Sequence, residues 1–402
     1  SDATSAEGSN VQYLTAFNSD GFTVGTNATV NSSGGDSYIA WTWDAGTVAN
    51  PVGDVWEGGA TKYIGVKFAS ASGGTVVYGQ TSGSTTVEVW TSSDNSTWTQ
   101  QGGTLTLSDG HTLTTSDQYV VIRNTSDATF TGWYAAATNG ADGHYSSVTY
   151  PSGASWSGPA YTDFDWRDEG GVVNTDGSIT SSVRANQSAG FSLVSWTGNG
   201  STSPYPTIGH GLNAKPLFYM IKSRDGARDW IVYTDVIDGS LDFFRLNTNA
   251  AKQDSALPAV ADSSVFYAGG TDINTNGEDI IAYCWTPVSQ YSAFGSYTGT
   301  GSASTGPFQF CGFRPAFILI KVASGGTSNW HIFDTTRSAE NVMNLTLFPD
   351  LNNAEATETA NLIDALSNGF KVRGTGNGTN ASADVYFWAA FAEHPFKTAR
   401  AR

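Results

Sequence analysis

The stretch Leu366-Ser-Asn-Gly-Phe370, a loop rich in Gly and Asn, and then Tyr386-Phe-Trp-Ala-Ala-Phe391 decides the fold, because the chain carries it in three versions. The first runs Phe17-Asn-Ser-Asp-Gly-Phe22 and on to Tyr38-Ile-Ala-Trp-Thr-Trp43, with the same sixteen-residue step from Phe to Tyr. A slightly shorter one runs Ser264-Val-Phe266 to Ile280-Ile-Ala-Tyr-Cys-Trp285. A Gly-Phe segment, a loop of residues that accept positive φ, and an aromatic run together spell a β-hairpin. The pattern predicts an all-β chain of tandem β-sandwich, jelly-roll-like domains in an elongated, multi-domain arrangement.

Upstream of the second and third versions lies a matching front half. Trp196-Thr-Gly-Asn-Gly200, Leu217-Phe-Tyr-Met-Ile-Lys222 and Asp229-Trp230 correspond to Tyr297-Thr-Gly-Thr-Gly301, Ala316-Phe-Ile-Leu-Ile-Lys321 and Asn329-Trp330. Two β-sandwich repeats are expected, 191–290 and 291–402, the matched copies being Phe191 to Gln290 and Phe294 to Lys397. Leu217 to Ile221 and Ala316 to Ile320 are unbroken apolar runs too short for helices, so they are expected to be central strands at equivalent positions. Residues 1–49 hold only a back half, with Tyr38 to Trp43 as an aromatic strand. Its opening strands are expected from an upstream sequence or a partner, since a bare half-sandwich exposes strand edges and apolar faces. One helix is expected, Glu355 to Ala365, between a possible Asn353 cap and Gly369.

Residues 50–137 read as an inserted β-sandwich, with strand-like runs at Lys62 to Ala69, Thr85 to Trp90, Thr104 to Leu107, Gln118 to Arg123 and Thr129 to Ala135. Residues 138–190 read as a Gly/Ser-rich connector carrying the acidic patch Asp163-Phe-Asp-Trp-Arg-Asp-Glu169.

The 402-residue chain has a formal charge of -17, from 19 Lys and Arg against 36 Asp and Glu. That balance leaves no basic stripe for phosphates and argues against nucleic acid as a partner. No apolar run approaches the roughly 20 residues of a membrane-spanning helix, so membrane insertion is not expected. Ser1 to Asn10 lacks the marks of a signal peptide, so export is expected by lysis or through a segment outside this sequence. Cys284 and Cys311 are too few for a disulfide scaffold and are expected to be buried and reduced. The Asn-x-Ser/Thr sequons, Asn27, Asn95, Asn186 and Asn377 among them, are glycan acceptors only in a eukaryotic secreted protein and otherwise mark polar turns.

Three segments go beyond generic β patterning: Asn174 to Phe191 with the Thr-Gly-Asn-Gly200 turn, Leu366 to Arg373, and Ala390-Phe-Ala-Glu-His-Pro-Phe-Lys397. Together they resemble a repeated domain of uncharacterised function found in tail-fibre and virion structural proteins of tailed bacteriophages, many of them marine. The likeness covers most of residues 11–49 and 172–397. It implies a place on a virus particle and no catalytic residue. Val87 to Trp98, followed by Tyr119-Val-Val-Ile-Arg123, resembles discoidin-like, galactose-binding-like jelly rolls.

Among candidate sites, Trp56, Trp90, Trp98, Trp133 and Tyr134 of the insert are aromatic faces able to stack on sugar, and each is equally a core candidate. Trp90 shares a strand face with Glu88 and is expected to lean outward, with Val87 and Val89 inward. Asp272, Asn274, Asn276 and Glu278 place oxygen groups at alternate positions around a Gly, as calcium loops do, yet fall where the other copies have plain hairpin loops. Asp163, Asp165, Asp168 and Glu169 offer a carboxylate pair for glycoside hydrolysis, against the plainer reading of a solvated acidic cluster. The histidines are scattered, and His331, beside Trp330, reads as structural. The leading expectation is a non-enzymatic virion protein, a tail or surface fibre in host adsorption. It would be homo-oligomeric, a trimer by preference, in contact with other virion proteins and host surface glycan. The alternatives are a secreted bacterial adhesin or carbohydrate-binding module, and a polysaccharide depolymerase.

Overall fold

The computed structural model describes residues 4–7, 13–18, 21–45, 55–57, 63–68, 73–80, 85–94, 97–107, 111–125, 130–137, 146–148 and 172–392. The chain is all-β and sandwich-like, and no helix occurs among these residues. It divides into two compact units. The first comprises Ser1–Ala45, Gln187–Ile208 and Leu212–Arg402; the second comprises Gly46–Asn186 and Gly209–Gly211.

In the first unit the second and third copies share one strand order. Phe191–Thr197, Asp279–Trp285, Phe218–Ser223 and Ile231–Thr234 lie side by side, as do Ser292–Thr298, Val385–Ala392, Pro315–Ser324 and His331–Asp334. All neighbours are antiparallel. The apolar run at 316–320, and that at 217–221 apart from Leu217, which directly precedes its strand, thus lie within interior strands with a partner on either side. Alternation then assigns the faces. In the third copy Ile318, Ile320, Val322, Tyr386, Trp388 and Ala390 point one way, onto a small sheet of Phe308–Phe310, Gly369–Val372 and Ile363–Leu366. Phe317, Leu319, Phe387, Ala389 and Phe391 point the other way and meet Phe191, Phe218, Val232 and Trp285 of the second copy. The two main sheets therefore share a core, face to face.

The first copy joins that core. Trp41, Trp43 and Ala45 pack against it. Trp43, Trp285 and Phe391 occupy the same position in the three versions of the motif, and their rings form a triangle with centroid separations of 5.6, 5.3 and 6.2 Å. The three copies thus meet in the shared core through equivalent residues of the motif.

Two expectations need correcting. The helix at 355–365 is replaced by two strands, Ala356–Thr357 and Ile363–Leu366. The second closes a hairpin on Gly369–Val372, and its alternation sends Ile363 and Ala365 into the core, which outweighs local helix propensity. Tyr38 to Trp43 is extended but has no sheet partner among the described residues.

In the second unit, one sheet orders Val55–Glu57, Tyr63–Lys67, Tyr119–Asn124, Thr85–Ser92 and Thr99–Gln100, with Leu105–Leu107 also on Thr85–Ser92. The other orders Ser146–Val148, Phe130–Ala137, Gly74–Gln80 and His111–Thr115. Val76, Tyr78, Val87, Val89, Val120 and Ile122 supply buried faces from both sheets. The stretch read as a connector contributes Ser146–Val148 and a hairpin of Val172–Asn174 with Ser181–Asn186.

Candidate functional site

The insert's aromatics fall in several places. Val87 and Val89 are buried while Glu88 and Trp90 stand half-exposed on the opposite face. The Trp90 indole N–H donates to Glu88 Oε2 at 3.3 Å, and Arg123 pairs with the same oxygen at 3.2 Å. Trp90 is therefore a ring fixed in orientation beside a paired carboxylate and guanidinium, a surface that offers stacking and hydrogen bonding together. Trp98 is half-buried and directly precedes the neighbouring strand Thr99–Gln100. Backbone register puts Trp56 in one cross-strand row with Gly65, Val121 and Trp90. Trp133 and Tyr134 belong to the other sheet, opposite Gln80 and Gly79. The five candidates thus do not form one cluster along the backbone; Trp56, Trp90 and Trp98 share a sheet. The acidic patch Asp163 to Glu169 lies outside the described residues.

The oxygen-rich loop at 272–278 performs a definite task. The buried Asn274 amide donates to Asn199 Oδ1 and to the Ser201 carbonyl, both at 3.0 Å, and its own oxygen accepts from Asn199 N–H at 3.2 Å. Glu278 accepts from Arg228 at 2.7 Å and from the Ser223 hydroxyl at 2.8 Å, and the Arg228 contact holds its carboxyl below the usual range. Asn276 is exposed. Asp272 borders a separate cleft of about 190 Å³, lined by Tyr205, Tyr233, Phe243 and Arg245 among others, which the sequence did not announce. No group of three or more His, Cys, Asp or Glu side chains placed to hold a metal occurs among the described residues.

Asn380 repeats the Asn274 arrangement. It donates to the carbonyls of Gly374 at 2.7 Å and Ser302 at 3.1 Å and accepts from Thr300 N–H at 2.8 Å. The asparagine is a clamp that ties the Thr-Gly-x-Gly turn of the front half to the hairpin loop of the back half. Backbone bonds reinforce it in both copies. Gly198 N–H donates to Glu278 O and Gly299 N–H to Asp384 O; Gly200 donates to Asn274 O and Gly301 to Asn380 O.

Two buried lysines mark the joints between copies. Lys321, fully buried, donates to Ser328 O at 2.6 Å within its own copy and to Asn249 O of the second copy at 2.9 Å. Lys222, its equivalent, donates to Ser223 O and Gly226 O, and to Thr4 O of the first copy at 3.3 Å. Burial pushes the Lys321 ammonium down to about 8, opposed by Asp350. Burial, with Lys321 adding to it, pushes His331 down to about 4. Cys284 and Cys311 are free and buried, and burial raises both thiols.

These features define an all-β protein of sandwich-type repeats gathered on a common core and bearing a second, separately packed unit. The chain belongs to the family described as "Domain of unknown function (DUF7483)", matched over residues 138–395. No curated protein matches it. Among solved structures it matches a chain of the "X-ray structure of the entire lipid-containing bacteriophage PM2" at 13% identity, over 84% of this chain and 85% of that one. The TM-score of that match is 0.13, too low to bear on the fold.

Proposed function

We propose that the protein is a non-enzymatic structural component of a bacteriophage virion, on a tail or surface fibre, whose insert makes weak contacts with host surface glycan. The observation that carries the scaffold role is the three-copy core around Trp43, Trp285 and Phe391, where one face of each copy's aromatic segment packs on the other copies. The virion setting rests on the pattern at 174–200 and 366–397. The glycan role rests on Trp90, held by Glu88 beside Arg123. Weak sites of this kind act through repetition, so the particle would present the chain in several copies, as a homo-trimer or a higher array.

Gold-labelled antibody on intact particles tests the setting: labelling of a fibre supports it, and labelling confined to lysate debris sinks it. Particles lacking residues 54–137 test the insert. Adsorption to host cells should fall, and Trp90→Ala should reproduce most of that fall. Unchanged adsorption by both would leave the chain a spacer.

A further inference from the structure

Among the described residues, the first copy is a back half with no front half docked on it. In the two complete copies the aromatic strand of the back half is flanked on both edges, Asp279–Trp285 by Phe191–Thr197 and Phe218–Ser223, and Val385–Ala392 by Ser292–Thr298 and Pro315–Ser324. Residues 38–45 lie in the same role. Trp41, Trp43 and Ala45 face the shared core, while Tyr38, Ala40 and Thr42 on the opposite face are exposed, and neither edge has a strand among the described residues. The hairpin of Leu14–Asn18 with Gly21–Val24 matches Ile363–Leu366 with Gly369–Val372. Phe370 and Val372 are fully buried there, whereas their equivalents Phe22 and Val24 are 37% and 36% exposed. A lone two-stranded hairpin with apolar side chains in water is marginal by itself.

The loop between them is already set in its docked form. Tyr386 donates to Asn377 O and accepts from Ala381 N–H, each at 2.8 Å. Tyr38 donates to Ala28 O at 2.9 Å and accepts from Ser32 N–H at 3.0 Å. Asn380 donates to Gly374 O, and Asn31 donates to Gly25 O at 2.8 Å. Ala383 has φ 69° and donates to Gly299 O; Gly277 has φ 77° and donates to Gly198 O; Gly35 takes the same role with φ 85°. Gly35 N–H, Asn31 O and Asp36 O stand where the other copies grip the Thr-Gly-x-Gly turn, and none of the three bonds to a described residue.

The copies also follow one rule of succession. Lys321 of the third copy reaches back to Asn249 of the second, and Lys222 of the second reaches back to Thr4 of the first. Both front halves described in this chain are bound to their own back halves. We infer that residues 13–18 and 21–45 form a binding site for one occupant, a further front half of the same repeat. It would carry a Thr-Gly-x-Gly turn that docks on Asn31, Gly35 and Asp36 and two strands that flank residues 38–45. Binding is strand addition on both edges, with main-chain bonds for affinity and the turn for register.

Two measurements test this on the full chain. In the first, an extra copy of residues 292–348 is placed directly ahead of Ser1, where linkage supplies a high effective concentration. Hydrogen exchange at residues 38–45 should slow at least about a hundredfold, since a segment with no ladder bonds among the described residues would gain them on both edges. Gly299→Val in the appended copy alone should undo most of that protection, because a Cβ at Gly299 in the third repeat would lie 2.1 Å from Ala381 O. In the second, a labelled peptide of residues 297–311 should bind the unmodified chain saturably, and a scrambled peptide should not. Unchanged exchange at 38–45 together with no saturable peptide binding overturns the inference. So does protection of 38–45 that appears in the unmodified chain as its concentration rises, which would assign the seat to a second copy.

Discussion

Truncating Trp43 and truncating Trp285 should have different consequences, although the two residues are equivalent in the repeat. Trp285 is 2% exposed and sits within a sheet, between Phe191–Thr197 and Phe218–Ser223. It also contacts Phe191, Phe218, Tyr283 and Phe391, so Trp285→Ala should cost about 3–5 kcal/mol of global stability. Trp43 is half-buried and touches Trp285, Phe317 and Phe391 edge-on, but its segment has no ladder bonds among the described residues. Partial burial and three ring contacts make Trp43→Ala worth about 2–4 kcal/mol. That loss should fall on the docking of residues 38–45 rather than on the two full repeats. Local opening would increase roughly 30- to 700-fold, at 1.4 kcal/mol per factor of ten. Urea denaturation reads the global term, and native-state hydrogen exchange with limited proteolysis at 38–45 reads the local one. A Trp43→Ala protein whose urea midpoint drops as far as that of Trp285→Ala would refute the view that the first copy docks on a core the other two can hold. A protein with no change by any of these measures would refute the shared core itself.

The clamp and the ion cluster around Lys252 give two further tests. Asn380→Ala removes four bonds, among them those to the carbonyls of Gly374 and Ser302, so it should lower stability by about 2–4 kcal/mol in thermal or urea unfolding, while Asn31→Ala, with one bond and an exposed side chain, should cost under about 1 kcal/mol. Lys252 binds Asp238, Asp242 and Asp254 at 3.1, 2.6 and 2.9 Å, and Asp242 is fully buried, so Lys252→Met should cost about 3–5 kcal/mol at pH 7, with Asp242→Asn in the same chain recovering part of it.

Much of the fold is legible in the sequence because strand alternation writes burial directly. Val87-Glu-Val-Trp90 shows its two faces, and the runs at 217–221 and 316–320 show strands covered on both sides. The clamp was harder to read. Asn274 sits among oxygen-bearing neighbours, and a spacing that suits a cation also suits an amide that grips a turn 75 residues away in sequence. Only the return at Asn380 of two of these bonds, one accepted from the turn's Thr300 N–H and one donated to the Ser302 carbonyl, separates the two uses. The helix expected at 355–365 shows the reverse error, since Ala, Glu and Leu favour a helix locally while pairing with 369–372 and a core beneath Ile363 and Ala365 decide otherwise. The meeting of three copies at one core has no local signature. Trp41 and Trp43 announce an apolar face, but what covers that face is set by residues more than two hundred positions away.

The lysine at each joint is a costly way to join two copies, and its cost is measurable. Lys321 is fully buried and its pKa is pushed down to about 8 from about 10.5. Between those values the unfolded chain holds a proton that the folded chain has released, so this group makes stability rise with pH across the window. The penalty is complete below about pH 8 and fades as pH approaches 10.5. From pH 8 to 9.5 linkage gives a gain of about 1.5 kcal/mol. Cys284 and Cys311 act in the opposite sense, because their buried thiols stay protonated where unfolded thiols ionise. The informative quantity is therefore the difference between the native chain and Lys321→Met, in which the thiols cancel. Urea unfolding at pH 8.0, 8.5, 9.0 and 9.5 should show the native chain gaining about 1–2 kcal/mol on the variant. A difference that stays constant over that range would mean that Lys321 is solvated in solution, and the joint between the second and third copies would then be looser than its two carbonyl contacts imply.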